Sequence, residues 1–231
     1  WYTIDGGTTS FTFSGSTGNI DQTAWDGQPN GTVTIRFYAN DSMGNTAWEE
    51  VTVRKDIDSP SIAINSPDTN DLFGSSSPGF DITISDPSGI HTQWYTIDGG
   101  TNNFTFTGST GNIDQTAWDG QPNGTVTIRF YANDSAGNID WDEITVRKDI
   151  EAPSITINLP NMNDLFGINA PGFEVTISDI NGIDSQWYKI NDGVMNYTFV
   201  GSTGNIDQTA WDGQPNGTVT IRFYANDSMG N

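Results

Sequence analysis

Asp56, Asp58, Asp86 and Asp134 lie in the turn-forming stretches RKDIDSP, SDPSG and NDSAGN, and 93 residues further on the same positions carry Asp149, Glu151, Asp179 and Asp227. Carboxylate oxygens are hard donors, the kind that Ca²⁺ gathers about six to eight at a time. The two matching acidic sets are therefore two candidate calcium sites. Asp and Asn are equally ordinary loop residues, because their side chains hydrogen-bond backbone groups close by in sequence. Neither an EF-hand loop nor a Gly/Asp nonapeptide repeat is present. On the residues alone both readings stand.

A second chemistry is offered by Asn-X-Ser/Thr. Sequons without Asp in the middle position fall at Asn30, Asn103, Asn123, Asn196 and Asn216 and are candidate glycosylation sites. A chain rich in Asn, Ser and Thr also generates such triplets by chance. Trp25, Trp118 and Trp211 sit in three copies of TAWDGQPNG, where an aromatic face could stack on a sugar. A small module without disulfides needs its large aromatics in the core first, so most of these Trp are expected inside. Catalysis finds less support. There is no Cys, and the single His, His91, is replaced by Asp184 one repeat later. Carboxylate pairs occur wherever acidic residues are this frequent, whereas glycoside hydrolysis needs two at a fixed separation across a cleft.

The 231 residues hold 29 acidic and 8 basic side chains, a net charge of −21. Such a chain is repelled by nucleic-acid backbones and anionic membrane surfaces. No apolar run approaches the roughly 20 residues needed to span a bilayer as a helix, so no direct membrane insertion of this segment is expected.

Internal repetition organises everything else. The run GSTGNIDQTAWDGQPNGTVTIRFYANDS occurs unchanged at 15–42, 108–135 and 201–228, and 47 of the 55 positions in 1–55 are identical in 94–148. Boundaries at RKDIDSP and RKDIEAP divide the chain into 1–55, a unit without its first strands; 56–148, a complete unit; and 149–231, a unit without its last strand. The chain is out of register with its own repeat, and the sequence is expected to continue beyond both ends.

Within 56–148 the apolar positions alternate with period two, as in Phe80-Ile82-Ile84 and Val126-Ile128-Phe130-Ala132, and no helical stripe is found. Asp98-Gly99-Gly100 reads as a hairpin turn. Whether Trp94 or Tyr95 faces inward is open, since both alternation sets contain large residues. About seven short strands in a unit of this size point to an all-β fold of tandem immunoglobulin-like sandwiches.

The stretch DGQPNGTVTIRFYANDSAGN (119–138), together with WYTIDGG and DIDSPSIAINSP, resembles the tandem immunoglobulin-like and cadherin-like repeats of large archaeal or bacterial cell-surface proteins. The likeness covers essentially the whole chain. It departs from antibody-type domains in lacking a Cys pair and in having Ile128 where the tyrosine corner would stand, with Trp118 as the residue expected to pack there. The resemblance implies an elongated rod of sandwiches whose acidic loops meet at the inter-domain junctions, with calcium stiffening them. It also implies a non-enzymatic extracellular role, as part of a cell-surface stalk, surface-layer element or filament. Its expected partners are other copies of the chain, neighbouring repeats of a longer chain, or surface glycans. The alternative is an adhesin or carbohydrate-binding repeat in which the modules themselves hold ligand.

Overall fold

The computed structural model describes all residues from Trp1 to Asn231. The first unit contributes β1 (Tyr2–Ile4), α1 (Gln22–Asp26), β2 (Gly31–Asn40) and β3 (Thr46–Lys55). The middle unit contributes β4 (Ser61–Ser66), β5 (Leu72–Phe73), β6 (Gly79–Ser85), β7 (Ile90–Ile97), β8 (Phe104–Thr105), β9 (Thr110–Asn112), α2 (Gln115–Asp119), β10 (Gly124–Asp134) and β11 (Ile139–Lys148). The third adds β12 (Ser154–Leu159), β13 (Gly172–Ser178), β14 (Ser185–Ile190), β15 (Tyr197–Thr198), β16 (Thr203–Asn205), α3 (Gln208–Asp212) and β17 (Ile221–Asn226).

The middle unit shows how the pattern becomes a sandwich. One sheet has the order β4-β6-β9 and the other β5-β11-β10-β7-β8. The chain leaves the first sheet after β4 and joins the second through β5, which runs parallel to β11 with Leu72 opposite Arg147 and Phe73 opposite Lys148. This is the immunoglobulin-like arrangement expected from the strand count. Strand side chains alternate between faces, so β10 presents Val126, Ile128, Phe130 and Ala132 inward, all fully buried. Val126, Ile128 and Phe130 meet Phe80, Ile82, Ile113, Trp118 and Val146 in one core. The other units have smaller cores of the same residue types, around Val33 and Ile35 and around Phe173 and Val175. The chain enters the middle unit at the Asp134 end of β10 and leaves it at the other end, where Gly124 lies opposite Lys148. At about 3.3 Å per residue, β10 separates entry from exit by roughly 33 Å.

Tyr95, not Trp94, faces the core: it is buried, and its hydroxyl accepts the Asp114 amide at 2.7 Å. Trp94 lies outside, stacked on Tyr131. The all-β reading omits one element, the five-residue helix that recurs in each unit as QTAWD. It is too short to show a periodic stripe, yet it is well terminated. Asp114 Oδ1 accepts from the Ala117 amide at 2.8 Å, a helix N-cap. At the other end Lys148 Nζ, inside the protein, donates to the carbonyls of Trp118 and Gln121 at 2.7 and 2.8 Å. Trp118 itself is fully buried, its indole N–H donating to the Gly74 carbonyl at 3.0 Å. Its role is packing, as expected.

Gly111 lies directly beneath the Phe80 ring, and a Cβ there would sit 2.6 Å from Cζ. Gly18, in the same TGN triplet of the first unit, has nothing within 4 Å of its Cβ position. Gly111→Ala is expected to displace the Phe80 ring and lower the stability of the middle unit by about 1–3 kcal/mol, the usual cost of overpacking, while Gly18→Ala changes stability by less than about 0.5 kcal/mol. Urea titration followed through protection of the Ile128 and Ile35 amides reads the two units separately.

Candidate metal centre

The alternation that buries Val126 to Ala132 also points Asp134 inward at the end of β10, where it is 1% exposed. The NDSAGN turn folds back over this carboxylate. Oδ1 accepts from the amides of Ala136, Gly137 and Asn138 at 2.8, 2.6 and 2.9 Å, and Oδ2 accepts from Asn138 Nδ2 at 2.7 Å. Gly137 takes φ = +96°, which the turn requires. Burial alone would raise the Asp134 carboxyl, but these hydrogen bonds outweigh it and hold the group below the usual carboxylate range. Asp227 repeats the arrangement with Met229 and Asn231, and its carboxyl is lowered in the same way.

Two further carboxylates reach each of these groups. Asp86, in the turn after β6, accepts from the Ser88 amide and hydroxyl, each at 2.7 Å. Asp56 follows the last strand of the preceding unit, and its carbonyl accepts from Asn138 Nδ2 at 3.3 Å. Carboxylate oxygens of Asp56, Asp86 and Asp134 lie within 4.8 Å of one another, and those of Asp149, Asp179 and Asp227 do likewise. Each cluster thus joins one unit's exit to the loops of the next. None of the six takes part in an ion pair; the pairs in the chain are Arg36–Glu50, Arg129–Glu143 and Arg222–Asp192.

Asp58 and Glu151 do not join the clusters. Both are exposed, and each instead donates its backbone amide to the carboxylate two residues earlier, to Asp56 at 3.2 Å and Asp149 at 3.1 Å. That local turn carries their side chains away. The residues that sequence reasoning passed over are polar partners. Asn138 and Asn231 close the turns over Asp134 and Asp227. Asn181 donates to Asp149 Oδ2 at 2.7 Å while accepting from Arg147 Nη1 at 2.8 Å. The repeated Asn closing NDSAGN and NDSMGN was the available signal. Asn181 had none, since Ser88 stands at its place in the preceding unit.

Asn30, Asn103, Asn196 and Asn216 are exposed and Asn123 is half-buried. Asn30 and Asn123 have a structural role as well, accepting from the linker amides of Ile57 and Ile150 at 3.0 and 3.1 Å. Of the three repeated Trp only Trp118 lies inside, fewer than expected; Trp25 and Trp211 are half-buried, and His91 is exposed.

The sequence matches no protein-family profile and no curated protein. Among solved structures, the chain is similar to the fibronectin(III)-like modules of Clostridium thermocellum CbhA, at 16% identity and a TM-score of 0.35, covering 74% of this chain and 87% of that one. A Ca²⁺-stabilised ice-binding adhesin of an Antarctic bacterium aligns at 13% identity and a TM-score of 0.36, over 85% of this chain and 56% of that one. A 1.5-MDa bacterial ice-binding adhesin aligns at 14% identity and a TM-score of 0.39, over 89% of this chain and 76% of that one. No helix is long and apolar enough to cross a membrane.

Asp41, the counterpart of Asp134 in the first unit, is held below the ordinary carboxylate range by hydrogen bonds from the Asn45 side chain and amide. A lowered carboxyl contributes stability in full above its unfolded value, about 3.9, and loses it as pH falls through the lower folded value. Hydrogen-exchange protection of the Met43 and Asn45 amides is therefore expected to be level from neutral pH to about 5 and to disappear only below about 3.9. Asp41→Ala should abolish that step.

Proposed function

We propose that the chain is a non-enzymatic structural repeat of an extracellular cell-surface stalk or filament, in which a calcium ion fixes each junction between consecutive modules. The observation that carries this reading is the meeting of three carboxylates, one from the linker that directly follows a module's last strand and two from loops of the next module, within 4.8 Å and without a basic partner. Three like charges gathered at the end of a sandwich repel one another, and hydrogen bonding keeps Asp134 and Asp227 ionised. A divalent cation removes that repulsion.

The donor set fits the ion. All donors are hard oxygens, and a separation of up to 4.8 Å is about what two ligands on one Ca²⁺ at roughly 2.3–2.6 Å can span. Calcium when bound would supply charge neutralisation and a shared coordination centre. The protein's own residues do the positioning. The turn around Asp134 is pre-formed by its amides, Asp56 is delivered by the strand that ends the preceding module, and Asn138 ties the Asp56 carbonyl, just past that strand, to the same turn. Near-identical modules offer little variety for recognising different partners, so what repetition adds is length. Entry and exit at opposite ends of each sandwich convert copy number into reach.

Isothermal titration with CaCl₂ is expected to give two sites per chain, with dissociation constants in the range of extracellular modules, about 10⁻⁴–10⁻³ M or tighter. Asp86→Asn and Asp179→Asn should each remove one of them. Small-angle scattering should show a larger and narrower distribution of dimensions in calcium than in excess chelator. A chain that takes up no calcium at about 10 mM, well above that range, overturns the metal junction, and unchanged scattering after chelation overturns its stiffening role.

A further inference from the structure

Three aromatic rings recur at the same repeat positions: Tyr2, Phe13 and Phe37 in the first unit, Tyr95, Phe106 and Phe130 in the middle one, and Tyr188, Phe199 and Phe223 in the third. In the middle unit a fourth ring, Phe80 of β6, lies among them with centroids at 6.0, 5.0 and 5.1 Å. Phe173 of β13 does the same in the third, at 5.8, 4.8 and 5.1 Å. The first unit has a single sheet, β1-β2-β3, with no counterpart of β4 or β6. Its three rings nevertheless keep the arrangement that surrounds the fourth. Tyr2 and Phe13 stand 5.8 and 5.9 Å from Phe37, against 5.8 and 6.0 Å for Tyr95 and Phe106 from Phe130. Phe37 is 37% exposed where Phe130 is fully buried. Between these rings and Gly18 lies an open cavity of about 280 Å³.

The main chain beside the cavity is unpaired as well. In the middle unit the Ile113 amide donates to the Pro78 carbonyl at 2.9 Å and the Ile82 amide to the Ser109 carbonyl at 2.8 Å. Between these bonds Gly79 lies opposite Asn112, Phe80 opposite Gly111 and Asp81 opposite Thr110. The third unit has the same register, with Phe173 opposite Gly204. The equivalent groups of the first unit, the Ile20 amide and the Ser16 carbonyl, have no backbone partner. The residue before the fourth ring is constrained too. A Cβ at Gly79 or Gly172 would stand 3.3 Å from Oδ1 of Asn112 or Asn205, and Asn19 occupies that place in the first unit.

We propose that this face of the first unit is a docking site for the leading segment of a further repeat module, whose β6-type strand inserts a Phe ring between Tyr2, Phe13 and Phe37. The occupant is argued from the chain itself. The same three rings and the same TGN triplet hold Gly79–Ser85 (GFDITIS) in the middle unit and Gly172–Ser178 (GFEVTIS) in the third. The exposed surface is thus continuous in kind with an interface seen twice, the contact between the two sheets of a sandwich, with one side left free. A lipid chain or a sugar could enter the cavity but would leave the Ser16 and Ile20 groups unpaired. An added strand pairs them and seats the ring in one step. The register of the other units places its Gly opposite Asn19, its Phe opposite Gly18 and its acidic residue opposite Thr17. The inference does not rest on the metal junction, so its test is made in chelator, where failure of one leaves the other standing.

The whole chain is titrated in excess EDTA with a synthetic fragment of residues 56–93, which carries both the β4 and the β6 strand. Calorimetry should give one fragment bound per chain, and hydrogen exchange should show new protection of the Ile20 amide. Phe80→Ala in the fragment should weaken uptake at least about tenfold, because the ring-sized hole stays empty. Gly18→Ala in the chain is the sharper variant. Nothing lies within 4 Å of its Cβ position in the free chain, so the far-ultraviolet dichroism should not change. A ring docked as Phe80 is over Gly111 would meet that Cβ at 2.6 Å, and uptake should again fall at least about tenfold. The proposal is overturned by a wild-type chain that takes up no fragment at about 1 mM, or by either variant binding as tightly as wild type. It is also overturned by uptake that leaves the Ile20 amide unprotected, which would place the fragment on another unit.

Discussion

A carboxylate kept ionised inside the end of a sandwich is the constraint on which each junction is built. Strand periodicity sends Asp134 inward, and a turn of four donors accepts it there. In the first unit Asp41, in NDSMGN, accepts from the Met43 and Asn45 amides and from Asn45 Nδ2, and it is exposed. Where Asp56 or Asp149 arrives from the module before, the pre-charged turn becomes covered and a second and third carboxylate are pressed against it.

The two junctions are not equal. In the second, Asn181 replaces Ser88 and links Arg147 of one module to Asp149 at its exit, and Asp149 is fully buried where Asp56 is only half so. Met229, in place of Ala136, reaches Gly74 in the preceding module, its Cε 3.4 Å from the glycine's Cβ position. Two of the sequence differences between otherwise matching modules, at Asn181 and Met229, therefore fall where modules touch and leave the carboxylate set intact.

Much of this was legible in the residues. The strict alternation of Val126 to Ala132 announced a buried central strand, and the 93-residue repeat with the loop ends of the expected sandwich brought forward Asp56, Asp86 and Asp134 together with Asp58, which stands outside the cluster. What was not legible has identifiable causes. QTAWD is barely one turn and a half long, so periodicity had nothing to measure, although the Asp114 cap was written in front of it. Trp94 and Tyr95 were indistinguishable by size; the choice was made by a remote partner, the Asp114 amide, which only a hydroxyl could reach from the core side. Asp58 and Glu151 looked equivalent to their neighbours because a turn closed by a backbone amide leaves no mark in residue type.

The parallel pairing of β5 with β11 bears on force. Asn70 donates to the Thr145 carbonyl, Arg147 to that of Asp71 and Asp149 to that of Phe73, each at 2.8 Å. These bonds tie the segment near the start of the module to the strand at its end. Tension along a tandem array pulls that start and that end in opposite directions, parallel to the strands and across the bonds. Such a load is shared by all three at once and cannot open them one after another like a zipper. A module held this way resists stretching to a threshold and then yields as a unit, lengthening the chain by most of its contour in one step.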